Sequence, residues 1–359
     1  MIVRARSCGL EIEVETDSPS WARVVDRALG GPMSRTPDER YDGSLGGAVA
    51  PDIRVRVESS TDAFSLPGLR PVTRGACGDG SRVILVDACG SGLDLLVDPS
   101  SSGLTVTVRA RPAVRHRALH LVDPARTELL WRAALLQYPA LWWAGARHGA
   151  VPLHVSAARI GASGVVLAGP GGVGKSTLLH GLAPDDGIPV SDNLCTYESG
   201  LVHGLAEPVR VEAGVGRHQH HLRPRLQRVT MPHGRVEQPW VVREPALWPS
   251  LLLVLSRGSE ARTTVRPVSA EIAARTLTAG TYAAGELRRY WAFAATLALG
   301  TGLGPAHPAV DDRARRLTRQ VRCAEVVLAS RPDASLARIV DLAEGWGLTQ
   351  RSPQREGSP

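Results

Sequence analysis

The sequence predicts an α/β fold with a smaller β-rich domain in front of it. Three observations carry this. Five short alternating runs crowd the first third of the chain. An apolar run, Gly164–Ala168, feeds the glycine-rich stretch Gly169-Pro170-Gly171-Gly172-Val173-Gly174-Lys175-Ser176. After it, apolar strand-length runs alternate with segments of helical period. The expected division is a β-rich domain at 1–125, a helical connector at 126–150, an α/β domain at 151–346 and a polar, disordered tail at 347–359.

In chain order, the N-terminus MIVRARSCGLEIEVE alternates like a strand and lacks the apolar centre of a signal peptide. Strands are expected at Leu10–Glu15, Asp52–Glu58, Arg82–Asp87, Leu93–Asp98 and Leu104–Arg109, separated by Gly, Ser and Pro clusters. A helix over Ser20–Leu29 begins with a serine cap and turns Trp21, Val24, Val25 and Leu29 to one side. No catalytic constellation stands out here, and a docking or scaffold role is the reading. Residues 124–148 read as a helix with Leu129, Leu130, Ala133, Leu136, Leu141 and Trp142 on its apolar face. Pro139 is expected to kink or break it, and Trp142-Trp143 read as core.

The second half continues with a helix at Gly174–Leu182, a strand at Ile188–Val190 ending in Ser191-Asp192-Asn193, and strands at Leu194–Tyr197, Val209–Glu212 and Leu251–Leu255. Helices at Ala270–Thr278, Glu286–Leu299 and Val310–Gln320 follow. A strand at Val321–Leu328 and a helix at Ala334–Glu344 complete the domain. Asp185-Asp186 lie in a Pro-Asp-Asp-Gly turn.

The glycine-rich stretch matches G-x-x-x-x-G-K-[ST], a Walker A loop. Lys175 is the only lysine of 359 residues, against 41 arginines. An arginine-biased chain keeps a lysine where a compact ammonium must reach between phosphates and a planar guanidinium is too wide. Gly169, Gly171, Gly172, Val173, Gly174, Lys175, Ser176 and Thr177 are the candidate nucleotide-binding residues. The expected ligand is ATP with Mg2+ on the Ser176 hydroxyl. Phosphoryl transfer to a hydroxyl also needs a carboxylate near the γ-phosphate. Asp192 is the candidate for base and metal ligand, because in a parallel sheet the end of that strand lies beside the loop.

No Asn-Lys-x-Asp is possible with one lysine, which excludes a GTPase. Leu251–Leu255 ends in Ser256-Arg257 rather than Asp-Glu, against ABC-type and AAA ATPases. Five scattered cysteines without C-x-x-C argue for reduced thiols and a cytoplasmic location, and against a zinc framework. No membrane span is long enough, and no nucleic-acid-binding signature accompanies the net charge of +7. That charge fits a solvated arginine-rich surface or an anionic partner.

His154-Val155-Ser156-Ala157-Ala158-Arg159-Ile160, the run Gly164–Gly169 into the loop, and Val190-Ser191-Asp192-Asn193 together resemble the kinase domain of HPr kinase/phosphorylase. They resemble still more the HPr-kinase-like enzymes that phosphorylate a serine of ribosomally made peptides, lasso-peptide precursors among them. The resemblance spans about residues 150–300, with its motifs between 154 and 193. It implies the P-loop fold shared with the nucleotide module of phosphoenolpyruvate carboxykinase. It assigns His154 to phosphate contact, Lys175 and Ser176 to nucleotide and Mg2+, and Asp192 to the base. The family has a second aspartate where this chain has Asn193, which bears on reverse phosphorolysis and on any two-carboxylate metal site. For the family's later glutamate ligand, Glu207 and Glu212 are the local options. Gly214–Arg235 holds five arginines and four histidines and no acid. It reads equally as a solvated loop or as a lid over an acidic substrate.

The expected activity is transfer of the γ-phosphate to a Ser or Thr hydroxyl of a peptide or small protein. A small-molecule hydroxyl kinase and a non-catalytic nucleotide-binding regulatory module are the alternatives. An oligomer is compatible with the sequence.

Overall fold

A computed structural model describes residues 1–30, 50–183, 185–212, 235–240, 243–259, 262–329 and 332–350. The fold is mixed α/β. The N-terminal part holds β1 (Ile2–Ser7), β2 (Leu10–Thr16), α1 (Pro19–Ala28), β3 (Ile53–Glu58), β4 (Arg70–Thr73), β5 (Ala76–Gly78), β6 (Val83–Leu85), β7 (Leu93–Ser100) and β8 (Gly103–Ala110). These strands make one eight-stranded sheet in the order β1-β2-β3-β8-β7-β6-β5-β4. β3 runs parallel to both β2 and β8, and the other pairs are antiparallel. Strict alternation in β1 and β3 buries Val3, Ala5, Ile53, Val55 and Val57. The opposite face becomes a ladder of cross-strand ion pairs: Arg4 and Arg54 with Glu13, Arg56 with Glu15, and Arg109 with Glu58.

The helix expected at Ser20–Leu29 forms one residue earlier and ends one earlier. Ser18 is its N-cap position, but no serine side chain caps it; Pro19 opens the first turn instead. Val25 and Leu29 are buried as expected, with Ala22 and Ala28, while Trp21 stays half-exposed against Trp131.

The connector is α2 (Val114–Val122), α3 (Pro124–Arg132), a π turn at Ala133–Gln137 and α4 (Tyr138–His148). Pro139 does not break it. The π turn resets the hydrogen-bond register just before it, so Pro139 falls in the first turn of α4, where no N–H is required. Gly149 ends α4 in the left-handed conformation.

The second half holds β9 (Val151–Leu153), β10 (Ser156–Ile160), β11 (Ser163–Ala168), α5 (Lys175–Gly181), β12 (Gly187–Ser191), β13 (Cys195–Glu198), β14 (Leu201–Gly204), β15 (Val209–Glu212), β16 (Arg235–Gln238), β17 (Ala246–Leu247), β18 (Leu251–Arg257) and β19 (Thr264–Pro267). Then follow α6 (Ala270–Ala283), α7 (Arg288–Thr301), α8 (Val310–Gln320), β20 (Arg322–Leu328) and α9 (Pro332–Gln350). Its main sheet has the order β12-β10-β11-β18-β20-β19. Only β11, β18 and β20 pair in parallel. The parallel sheet expected around Asp192 is therefore corrected. β10 stands between β11 and β12, antiparallel to both, so β11 and β12 still run in the same direction.

Period-2 alternation distributes this sheet between two cores. Val165, Leu167, Leu251, Leu253 and Leu255 pack with Leu178 and Leu179 of α5 and Ile339 and Ala343 of α9. Val166, Ala168, Leu252 and Val254 pack on the other face with Ala273, Ala274 and Leu277 of α6 and Ala314 and Leu317 of α8. Burial on both faces explains why β11 and β18 read as continuous apolar runs. A third core joins the N-terminal sheet to Trp142, Trp143, Leu205 and one face of α7, Tyr290, Phe293, Ala294 and Leu297.

Residues 347–350 belong to α9 rather than to a tail; 351–359 lie outside the described residues. All five cysteine thiols are free. No helix among the described residues is long and apolar enough to cross a membrane.

Candidate functional site

β11 ends at Ala168, the glycine-rich stretch turns through Gly169–Gly174, and α5 begins at Lys175. Gly169, Gly172 and Gly174 have φ of +147°, +77° and +121°, a region that side chains disfavour. At Gly169 there is also no room, since a Cβ would lie 2.8 Å from the Leu255 carbonyl oxygen of the neighbouring strand. Gly171 and Gly172 are the opposite case. A Cβ on either would meet nothing within 4 Å, so bare backbone faces open space. That space is a cleft of about 840 Å3 including its mouth, lined by Gly171, Gly172, Gly174, Lys175, Ser176 and Thr177 on this side.

In the sequence Arg257 marks only the absence of an Asp-Glu pair, and no motif points to it. It ends β18, next to β11, and its guanidinium reaches back to the loop. Nη2 donates to the Gly172 carbonyl at 2.7 Å and Nε to the Val173 carbonyl at 3.3 Å. The Gly172 and Val173 carbonyls are thus turned toward Arg257.

Lys175 is buried, with Nζ donating to the carbonyls of Gly169 at 2.8 Å and Pro170 at 3.2 Å. Burial lowers its pKa to about 8, against the pull of Asp192 and Glu286. The ammonium therefore rests on the loop it follows, charged at neutral pH.

The facing wall brings together the residues expected from the second motif. Asp192 follows β12 and is 3 % exposed. Its backbone carbonyl accepts from the Ser156 hydroxyl, and the Ser191 hydroxyl donates to the Leu194 carbonyl at 2.6 Å, so the turn is fixed from both sides. Burial alone would raise the carboxyl's pKa. His180, the Ser176 hydroxyl and Arg210 outweigh it and hold the pKa below the ordinary aspartate value. Oδ1 is buried without a hydrogen-bond partner.

His154 lies between β9 and β10, at the start of the hairpin whose second strand feeds the loop. Its Nδ1 is 3.2 Å from the Gly280 carbonyl, and its backbone N–H donates to Thr281 Oγ1 at 3.1 Å. Burial, then the Lys175 charge, lowers its pKa, so the ring is neutral at pH 7. Asn193 lines the cleft beside it with a buried, unpartnered Nδ2.

Further lining residues carry no sequence motif: Arg210, Arg235, and the turn between α6 and α7 with Glu286. Arg210 Nη1 donates to Glu286 Oε1 at 2.5 Å. Burial would raise the Glu286 pKa, but Arg210 reverses this and keeps the carboxylate ionised. Spacing could not reveal this pair, 76 residues apart. Of the basic stretch 214–235, only Arg235 is among the described residues, and it lines the cleft.

Glu207, one of the two local options for a metal ligand, does not line the cleft. It is buried behind Arg210, 3.9 Å from its Nη2, and Gln137 Nε2 donates to it at 3.4 Å. Burial raises its pKa to about 7, with Arg210 and Arg132 opposing. Glu286 is the glutamate that lines the cleft. The side chain of Glu212 lies outside the described residues.

Among the described residues, no group of three or more His, Cys, Asp and Glu is placed to hold a metal. Magnesium bound through phosphates needs fewer: one or two protein oxygens and water suffice. The Ser176 hydroxyl and the orphaned Asp192 Oδ1 fit that requirement, and the Asn193 amide oxygen lies within the same wall.

No protein-family model matches this chain, and no match was found among the curated proteins.

Proposed function

We propose that this chain is a P-loop phosphotransferase of the HPr-kinase-like type. In this reading it transfers the γ-phosphate of ATP to a Ser or Thr hydroxyl of a peptide or small protein. One observation carries the reading. The glycine loop, Lys175, Ser176, His154, Asp192 and Asn193, separate in sequence, line a single cleft. The bare backbone at Gly171 and Gly172 supports a close approach of phosphates.

The chemistry follows from the side chains. Lys175 leaves the loop carbonyls and neutralises the β- and γ-phosphates. A magnesium ion, when bound by Ser176 and Asp192, supplies further charge neutralisation. Asp192, ionised at neutral pH, accepts the acceptor's proton as the acceptor oxygen attacks γ-phosphorus. The bond from γ-phosphorus to the bridging oxygen breaks, and its electron pair stays with ADP. Neutral His154 hydrogen-bonds a phosphate oxygen without adding charge. With Asn193 in place of a second carboxylate, the forward direction is the one supported.

Candidate peptides from the same gene neighbourhood, incubated with Mg-ATP and read by mass spectrometry, test the proposal. A gain of one phosphate on Ser or Thr is expected. Asp192→Asn should bind ATP nearly as wild type and turn over about 100-fold more slowly, as loss of a general base does. Phosphate appearing only on a sugar, amino acid or nucleoside replaces the peptide reading with the small-molecule one. Tight ATP binding with no transfer to any acceptor replaces both with a regulatory module.

A further inference from the structure

One buried histidine beside Asp192 has no part in the chemistry above. His180 is four residues after Ser176 on α5, so the two occupy one helical face. Its side chain is 7 % exposed, and Asp192's is 4 % exposed. His180 Nε2 stands 3.4 Å from Asp192 Oδ2, an ion-pair distance just beyond a formed hydrogen bond. Nε2 has no other partner. The ring is held from the side by Trp240, edge to face, with centroids 6.2 Å apart and planes at 70°. Trp240 is itself anchored, its Nε1 donating to the Glu207 carbonyl at 3.1 Å.

A carboxylate rotates about its terminal torsion unless one oxygen is held. Here one oxygen faces a fixed imidazole and the other, Oδ1, is buried without a partner, in a residue that lines the cleft. We infer that His180 is a positioning residue. It holds Oδ2 of Asp192 and so fixes the direction of Oδ1, the oxygen left for the metal and the acceptor hydroxyl. Ser176 and His180, one turn apart, thereby tie the phosphate loop and the base to the same short helix. This inference rests on the proposed role of Asp192. A histidine serving only as core packing would need its ring against Trp240 but no ring nitrogen facing the carboxylate.

His180→Leu keeps an apolar group against Trp240 and removes the N–H. His180→Gln keeps a donor at nearly the same reach. With a peptide acceptor, His180→Leu should lower kcat by about 10- to 100-fold, the scale of a misplaced reacting group, with the KM for ATP within about twofold. His180→Gln should recover most of that loss. Equal turnover in wild type and His180→Leu, or equal loss in Leu and Gln variants of wild-type melting temperature, overturns the inference.

A spectroscopic measurement separates this result from the fate of the functional reading. In histidine-15N-labelled protein, one slowly exchanging ring N–H proton should vanish in His180→Gln and move upfield in Asp192→Asn. If Asp192→Asn leaves it in place, the pairing is absent and the inference fails, whatever the protein phosphorylates. If the signal behaves as expected but wild type transfers no phosphate, the functional reading fails and the pair is structural.

Discussion

Lys175 illustrates how one residue's surroundings set its behaviour. Its ammonium is buried against two loop carbonyls, and its pKa is lowered to about 8. If the proposed nucleotide binds, its phosphates favour the charged form, and binding should raise this pKa again. The sign follows directly. Below pH 8 the lysine is already charged and nucleotide affinity should be flat with respect to it. Above pH 8 the free protein must take up a proton to bind, and the Kd for ATP should rise by up to about tenfold per pH unit. Isothermal titration calorimetry between pH 7 and 9.5 measures this, together with proton uptake from the dependence on buffer ionisation heat. In Lys175→Ala the affinity should be low and the pH slope gone. An unchanged slope in that variant would place the titrating group elsewhere. Lys175→Arg should not restore transfer, because the site is closed around a narrow group.

At the scale of elements, the loop is held by its neighbours as much as by its own glycines. Arg257 ties β18 to the loop through two carbonyls. Removing those bonds costs on the order of 1 kcal/mol in loop order. Arg257→Ala should therefore weaken ATP binding by about fivefold, and Arg257→Lys should restore only part because one ammonium cannot match the fork. Titration calorimetry reads both. Behind the cleft, Glu207 joins the segment before β15 to the connector through Gln137. Its folded-state pKa is raised by burial to about 7 from an ordinary 4.5, with Arg210 and Arg132 opposing. A carboxyl raised in the folded state contributes stability that is full below pH 4.5 and lost as pH rises through 7. The melting temperature of the wild type should therefore fall between pH 5 and 8 by a few degrees more than that of Glu207→Gln. Parallel curves for the two proteins would show that Glu207 is ionised throughout.

For the whole molecule, the sequence disclosed what depends on local pattern. The glycine loop, the apolar runs of β11 and β18 and the span of α8 were legible because each is a repeat or motif of its own residues. Asp192 was legible as a strand end, although β10, not a parallel neighbour, connects it to the loop. What could not be read are contacts between distant segments: Arg210 with Glu286, His180 with Asp192, Arg257 with the loop. Strands of two to four residues, such as β9, β14 and β17, were hidden because alternation cannot be counted over so few positions. The same holds for the packing of the β-rich part on the rest. Residues 1–125 look separable in sequence, yet their core includes Tyr290, Phe293, Ala294 and Leu297 of α7 and Trp142 and Trp143 of α4. Backbone bonds add to this: the Cys8 N–H donates to the Gly204 carbonyl at 2.9 Å, and the Ala206 N–H donates to Ser7 Oγ at 2.9 Å. Each large apolar side chain of α7 loses about 1.5–3 kcal/mol of burial if that sheet is removed. Three such side chains on α7 already approach the 5–15 kcal/mol that holds a typical domain together. A fragment of residues 151–346 should therefore fail to unfold cooperatively on heating and should bind a hydrophobic dye, while the full chain shows a single transition. A fragment that melts sharply and retains ATP binding would show that the α/β part folds without the N-terminal sheet, and that α7 is covered only incidentally.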